Sequence, residues 1–275
     1  MVIDQLVDCK SPYTSVSWFS TVSRQWVART QKHHFESVYF KDQDGLEKWR
    51  AAIEPDPSGV SRHTLKLTLV GVDTLESFED HIRVFSHVEA LTFKWCSVLL
   101  SPPVVRSVAP MGSSLVGLEI DGASTTPSIV TSLLAALPHL RHLRTHYLEV
   151  LDDCNPTVFP PGIPFFEGAN SCLDLLVDED NPGSLDWIPP SARFLDLRID
   201  ALSILDESGR VRQWITSSAN SLKSLSIGGD PEDGTCLNFL SPTLFPSSPD
   251  CVITSQVPVL PHWTSRDALR WSPYN

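Results

Sequence analysis

LVGLEIDGASTTPSIVTSLLAALPHLRHLRTH, residues 115–146, holds one complete structural unit in 32 residues. In LVGLEID (115–121) and LRHLRTH (140–146) apolar residues alternate with polar ones, the period-2 signature of a half-buried strand. Between them, SIVTSLLAALPHL (128–140) places Ile129, Leu133, Leu134 and Leu137 at helical spacing and stops near Pro138. The order is strand, turn, helix, turn, strand.

The same short strand motif recurs on both sides: TLKLTLV (64–70), VEALTFKW (88–95), CLDLLV (172–177), RFLDLRI (193–199) and LKSLSI (222–227). Taking Leu67, Leu91, Leu118, Leu143, Leu173, Leu195 and Leu225 as equivalent, the steps are 24, 27, 25, 30, 22 and 30 residues. Leucine-rich repeats run about 20 to 29 residues, so the spacing fits that class with insertions, although asparagine is missing from the usual ladder position. One such unit cannot bury both its strand and its helix, so stacked neighbours must share a core. The expected fold is therefore α/β: a short N-terminal helical segment, then an irregular leucine-rich-repeat solenoid, with a curved parallel sheet and helices on its convex side. An ordinary α/β domain with leucine in its strands is the competing reading.

The ends differ from this middle. Residues 2–40 carry no repeat and read as helical, with apolar stripes at Ile3, Leu6 and Val7 and then at Val16, Phe19 and Val22, broken by Ser11-Pro12. A further short helix is expected near Thr30 to His34, with Phe35, Val38 and Phe40 leading into extended chain. Residues 231–275 hold seven prolines and no period, which reads as a Pro/Ser-rich cap or tail. Three regions result: 1–40, 41–230 and 231–275.

Composition excludes several classes of function. A formal net charge of −12 without a basic run disfavours nucleic acid as a partner. The longest apolar stretch, Ile129 to Leu137, is about half of what a membrane-spanning helix needs, and MVIDQLVDCK lacks the cationic start of a signal peptide. Six cysteines lie far apart with no C-x-x-C pair, which fits reduced thiols in the cytoplasm or nucleus.

The residues also offer little for catalysis. No G-x-S-x-G elbow, phosphate-binding glycine loop or H-E-x-x-H helix occurs, and nothing calls for a cofactor. The chain reads as a non-enzyme; a small α/β hydrolase would require Ser, His and Asp to converge in one pocket. His139, His142 and His146 are the nearest approach to a metal set, but Leu140, Leu143, Thr145 and Tyr147 fit a strand, which leaves His142, Arg144 and His146 on its other face. DEDNPGSLD (178–186) lacks the ligand spacing of a calcium loop. If the leucines point inward, their neighbours Lys66, Lys94, Glu119, Asp121, His142, Arg144, His146, Asp196, Arg198 and Ser226 point outward onto the concave face, where a solenoid commonly holds its partner.

VIDQLVD, SWFSTVSRQWVART and HHFESVYF, with V-S-R-Q-W at Val22 to Trp26, resemble the F-box motif and its V-x-R-x-W core. Followed by weak repeats, this N-terminus is similar to the large fungal F-box families. The resemblance implies a substrate receptor of a cullin-based, SCF-type ubiquitin ligase. The F-box would dock on a Skp-type adaptor, and through it a cullin, while the repeats hold the protein to be ubiquitinated. It carries Ile3, Leu6, Val22, Arg24 and Trp26 over to adaptor binding or the F-box core. The family's Leu-Pro pair is missing before the first helix, so the F-box reads as N-terminally shortened, and a repeat-only scaffold with a non-functional F-box is the alternative.

Overall fold

The computed structural model describes residues 32, 33, 35–53, 61–72, 82, 84–96, 102–151, 162–168, 170–176, 185, 187–200, 209–227 and 252–255. Ile3, Leu6, Val22, Arg24 and Trp26 lie outside the described residues.

Nine strands form one open parallel sheet in simple chain order: β1 (Ser37–Phe40), β2 (Lys66–Val70), β3 (Ala90–Lys94), β4 (Gly117–Thr125), β5 (His142–Val150), β6 (Cys172–Leu176), β7 (Asp196–Asp200), β8 (Ser224–Ile227) and β9 (Val252–Ser255). Every neighbouring pair is parallel. A parallel neighbour requires the chain to return to the same end of the sheet. The returns carry α1 (Gln43–Ile53), α2 (Pro102–Val108), α3 (Pro127–Ala135), α4 (Pro164–Glu167) and α5 (Arg210–Ser217).

Two inward rows build the core. Val38, Leu67, Leu91, Leu118, Leu143, Leu173, Leu197 and Leu225 are in register across eight strands, and all are buried. Phe40, Leu69, Phe93, Ile120, Thr145, Leu175 and Ile199 form the second row. Apart from the buried polar Thr145, both join one hydrophobic cluster with Val104, Val108, Val130, Leu133, Leu134, Val211, Trp214 and Ile215 from the helices. Along β1 to β8 the alternate residues whose burial is described are only part-buried or exposed, so over these strands helices cover one face of the sheet and leave the other open.

The register corrects one equivalence. Leu197, not Leu195, continues the leucine row, so the last steps are 24 and 28 residues rather than 22 and 30. In RFLDLRI both leucines satisfy a period-2 pattern, and backbone bonding selects the second. Lys223 N–H donates to Leu195 O at 2.7 Å, just as Glu89 N–H donates to Leu65 O at 2.8 Å, so Leu195 occupies the place before the strand that Leu65 occupies before β2. The two-residue slip leaves side-chain parity unchanged, and Asp196 and Arg198 still face outward.

The helices expected between strands are uneven among the described residues. Between β5 and β6 the described helix is only the four-residue α4, and between β6 and β7 the described residues contain no α-helix. Aromatic side chains fill the layer instead: Phe165, Phe166, Trp187, Phe194 and Trp214 form a chain of ring contacts with centroids 5.6 to 6.4 Å apart. A second group, Phe40, Trp49 and Phe85, closes the core near β1, with Trp49 stacked on Phe85 at 4.8 Å. The sheet begins at Ser37 and ends at Ser255, on either side of the 41–230 range expected for it. Among the described residues no helix is long and apolar enough to cross a membrane.

Candidate partner-binding face

Because successive strand residues point to opposite faces, the in-register stacking that aligns the leucines also aligns their neighbours into rows on the open face. The first row runs Lys66, Ala90, Gly117, His142, Cys172, Asp196 and Ser224; the second runs Thr68, Thr92, Glu119, Arg144, Asp174, Arg198 and Ser226. The third contains Val70, Lys94, Asp121, His146 and Leu176. All ten residues expected to face outward occupy these rows, across six strands.

The charges are organised rather than scattered. Arg144 Nε lies 2.9 Å from Asp174 Oδ2, and Arg198 Nε lies 3.7 Å from Asp174 Oδ1, so one carboxylate on β6 sits between guanidiniums on β5 and β7. Lys94 Nζ is 3.8 Å from Asp121 and 4.0 Å from Glu119, and Glu119 also accepts from Thr92 Oγ1 at 3.3 Å. These groups keep part of their surface in water, so each pair contributes about 1 kcal/mol or less to stability. Their larger effect is to fix the positions of donors and acceptors a partner would meet. Asp174 is absent from the expected set, although its position beside inward Leu173 makes it readable from CLDLLV.

The titratable groups on this face do not resemble a reaction centre. Burial holds the His146 imidazole below its ordinary range against the opposing pull of Asp174, and the Arg144 charge acts in the same direction as burial. His142 is lowered in the same way by burial, opposed by Asp196. Cys172 donates its S–H to Asp196 Oδ2 at 3.1 Å, and burial together with that carboxylate pushes the thiol up to about 12. A nucleophilic cysteine needs the reverse shift, so Cys172 serves as a hydrogen-bond donor. His142 and His146 are four strand positions apart, about 13 Å at the usual rise, which is too far to share one ion. Among the described residues no group of three His, Cys, Asp or Glu side chains has a metal-binding arrangement.

A fourth row lies at the carboxyl ends of the strands, where alternation breaks. Gly71, Trp95, Gly122 and Tyr147 each follow a third-row residue, and each has left-handed backbone, with φ of 57°, 51°, 66° and 49°. The next residues, Val72, Cys96, Ala123 and Leu148, are buried again. This one-residue offset turns Trp95 and Tyr147 outward, where they are 70% and 57% exposed. Tyr147, expected to continue inward from Leu143 and Thr145, is thus corrected to the open face. It also lets β4 and β5 pair again through Ala123↔Leu148, Ser124↔Glu149 and Thr125↔Val150.

Neither a model of any protein family nor any curated protein sequence matches the chain.

Proposed function

We propose that this protein is a substrate receptor of a cullin-based ubiquitin ligase, in which an F-box-like N-terminus engages a Skp-type adaptor and an irregular leucine-rich-repeat solenoid holds the protein to be modified. It performs no chemistry itself; ubiquitin transfer belongs to its partners. It would work in the cytoplasm or nucleus, where that machinery operates.

The observation that carries the reading is the one-sided sheet. Nine strands run in chain order, and over β1 to β8 one face is buried under helices while the other is lined with registered charges. With strands about 4.8 Å apart and a rise of about 3.3 Å per residue, that face covers roughly 40 by 16 Å. This approaches the ~800 Å² per partner of a stable protein interface. The adaptor half rests on the resemblance of VIDQLVD and SWFSTVSRQWVART to the F-box motif.

Purified Skp-type adaptor tests it directly. The intact chain should retain the adaptor in a pull-down, while Trp26→Ala and a chain truncated before about Val38 should lose it. Failure of the intact chain to retain adaptor would reject the receptor reading.

A further inference from the structure

Resting on the reading of the open face as a partner-binding surface, we infer that Trp95 and Tyr147 form an aromatic slot that takes an arginine or lysine side chain from a basic segment of the protein partner. Three independent features support it.

The first is backbone strain at a position that does not require an aromatic. Four consecutive units place a left-handed residue at the same point, and two of them use glycine, the residue with no steric penalty there. The other two use Trp95 and Tyr147. A bulky side chain in that conformation is strained, and neither ring compensates by burial, since both are mostly in solvent. Glycine would adopt that backbone without steric penalty, and neither ring is needed to fill the core.

The second is spacing. Trp95 follows β3 and Tyr147 lies in β5, so β4 separates them by two strand intervals, about 9 to 10 Å. Gly122 occupies the place between. A Cβ there would meet Trp95 Cδ1 at 2.1 Å and Nε1 at 2.7 Å, so the indole lies over the glycine, toward β5, and only glycine admits it there. A planar guanidinium or an ammonium group meeting the exposed indole over β4 would stand one strand from Tyr147 and could touch both rings.

The third is charge. Around the two rings stand Lys94, Glu119, Asp121 and Glu149. Lys94 faces both Glu119 and Asp121, while exposed Glu149 accepts only from Ser124 Oγ, at 2.6 Å, among the described contacts. Arg144, in register with Glu119, is held by Asp174 together with Arg198, so four carboxylates stand against three cations and leave the neighbourhood negative, in the same sense as the −12 of the whole chain. Exposed aromatics in a negative field select a cation rather than an acidic or apolar group.

The test uses the full chain and a fluorescein-labelled peptide of alternating glycine and arginine, with citrulline and glutamate counterparts, read by fluorescence anisotropy. Citrulline keeps the shape of arginine and removes its charge. The arginine peptide should bind more tightly than either counterpart. Trp95→Gly and Tyr147→Gly should each weaken it by about three- to tenfold, the range of one cation–aromatic contact. Trp95→Phe should retain most of the binding. Both glycine variants should melt no lower than the parent, because glycine relieves the backbone, so lost binding cannot be assigned to unfolding. Equal binding of the citrulline peptide, unchanged affinity in the glycine variants, or no binding by the intact chain would overturn the slot. Those results leave the adaptor test untouched, and loss of adaptor binding leaves the peptide result untouched, so the two failures are distinguishable.

Discussion

His146 shows how a single side chain on the open face is linked to stability. Its imidazole sits between Asp121 and Leu176 in the third row, and burial lowers its pKa below the ordinary 6.5 despite nearby carboxylates. The unfolded chain therefore binds the proton more readily than the folded one, and stability falls as pH drops below about 6.5 toward the folded value. His142 acts in the same direction. The urea midpoint should accordingly be lower at pH 5.5 than at pH 7, and His146→Gln should reduce the difference; a higher midpoint at pH 5.5 would contradict the assignment. At this scale the sequence was legible where alternation holds. Lys66, Glu119, Arg144 and Arg198 reach the open face because each flanks an inward leucine. It was not legible at Trp95 and Tyr147, because alternation continued from Lys94 and His146 points both rings inward. Nothing in those residue types announces a left-handed backbone, which is far commoner for glycine.

The element scale is governed by register. The strand motif was readable from period 2, and seven of nine strands coincide with the motifs LKLTLV, ALTFK, GLEID, HLRTH, CLDLL, DLRI and SLSI. β1 falls in the extended chain expected around Phe35, Val38 and Phe40 but carries no leucine to tie it to the repeats, and β9, VITS, also lacks one and lies in the proline-rich end. Where two leucines compete, as in RFLDLRI, only pairing decides, and it places Leu197 in the core at 1% exposure while Leu195 stays half-buried at the strand entrance. Leu197→Ala should then cost about 2–5 kcal/mol in urea unfolding, the range for a buried leucine, and Leu195→Ala clearly less. Equal losses, or the reverse order, would contradict the register. Between β5 and β7 the described residues that fill the layer beside the short α4 are Phe165, Phe166 and Trp187, and their contribution by volume was not foreseeable from leucine spacing.

For the whole molecule, the decisive property is the asymmetry between two faces of one sheet. Helices and aromatic rings close one side into a continuous core, and the other side presents rows of ionic and hydrogen-bonding groups ending in two exposed rings. Charged rows fixed by mutual pairing suit a surface that selects a partner by complementarity more than by buried area. Photo-crosslinking from each side in cells provides the most direct test of this account. A photoreactive phenylalanine at Thr68, Thr92 or Ser226 on the open face should give discrete protein adducts that co-purify with the Skp-type adaptor. Those adducts should fade when Arg144 and Arg198 are both changed to glutamate. The same probe at Ser128 or Arg212 on the helical side should give none that respond to that change. Adducts confined to the helical side, or indifferent to Arg144 and Arg198, would contradict the claim that the open sheet face is where this protein holds its partner.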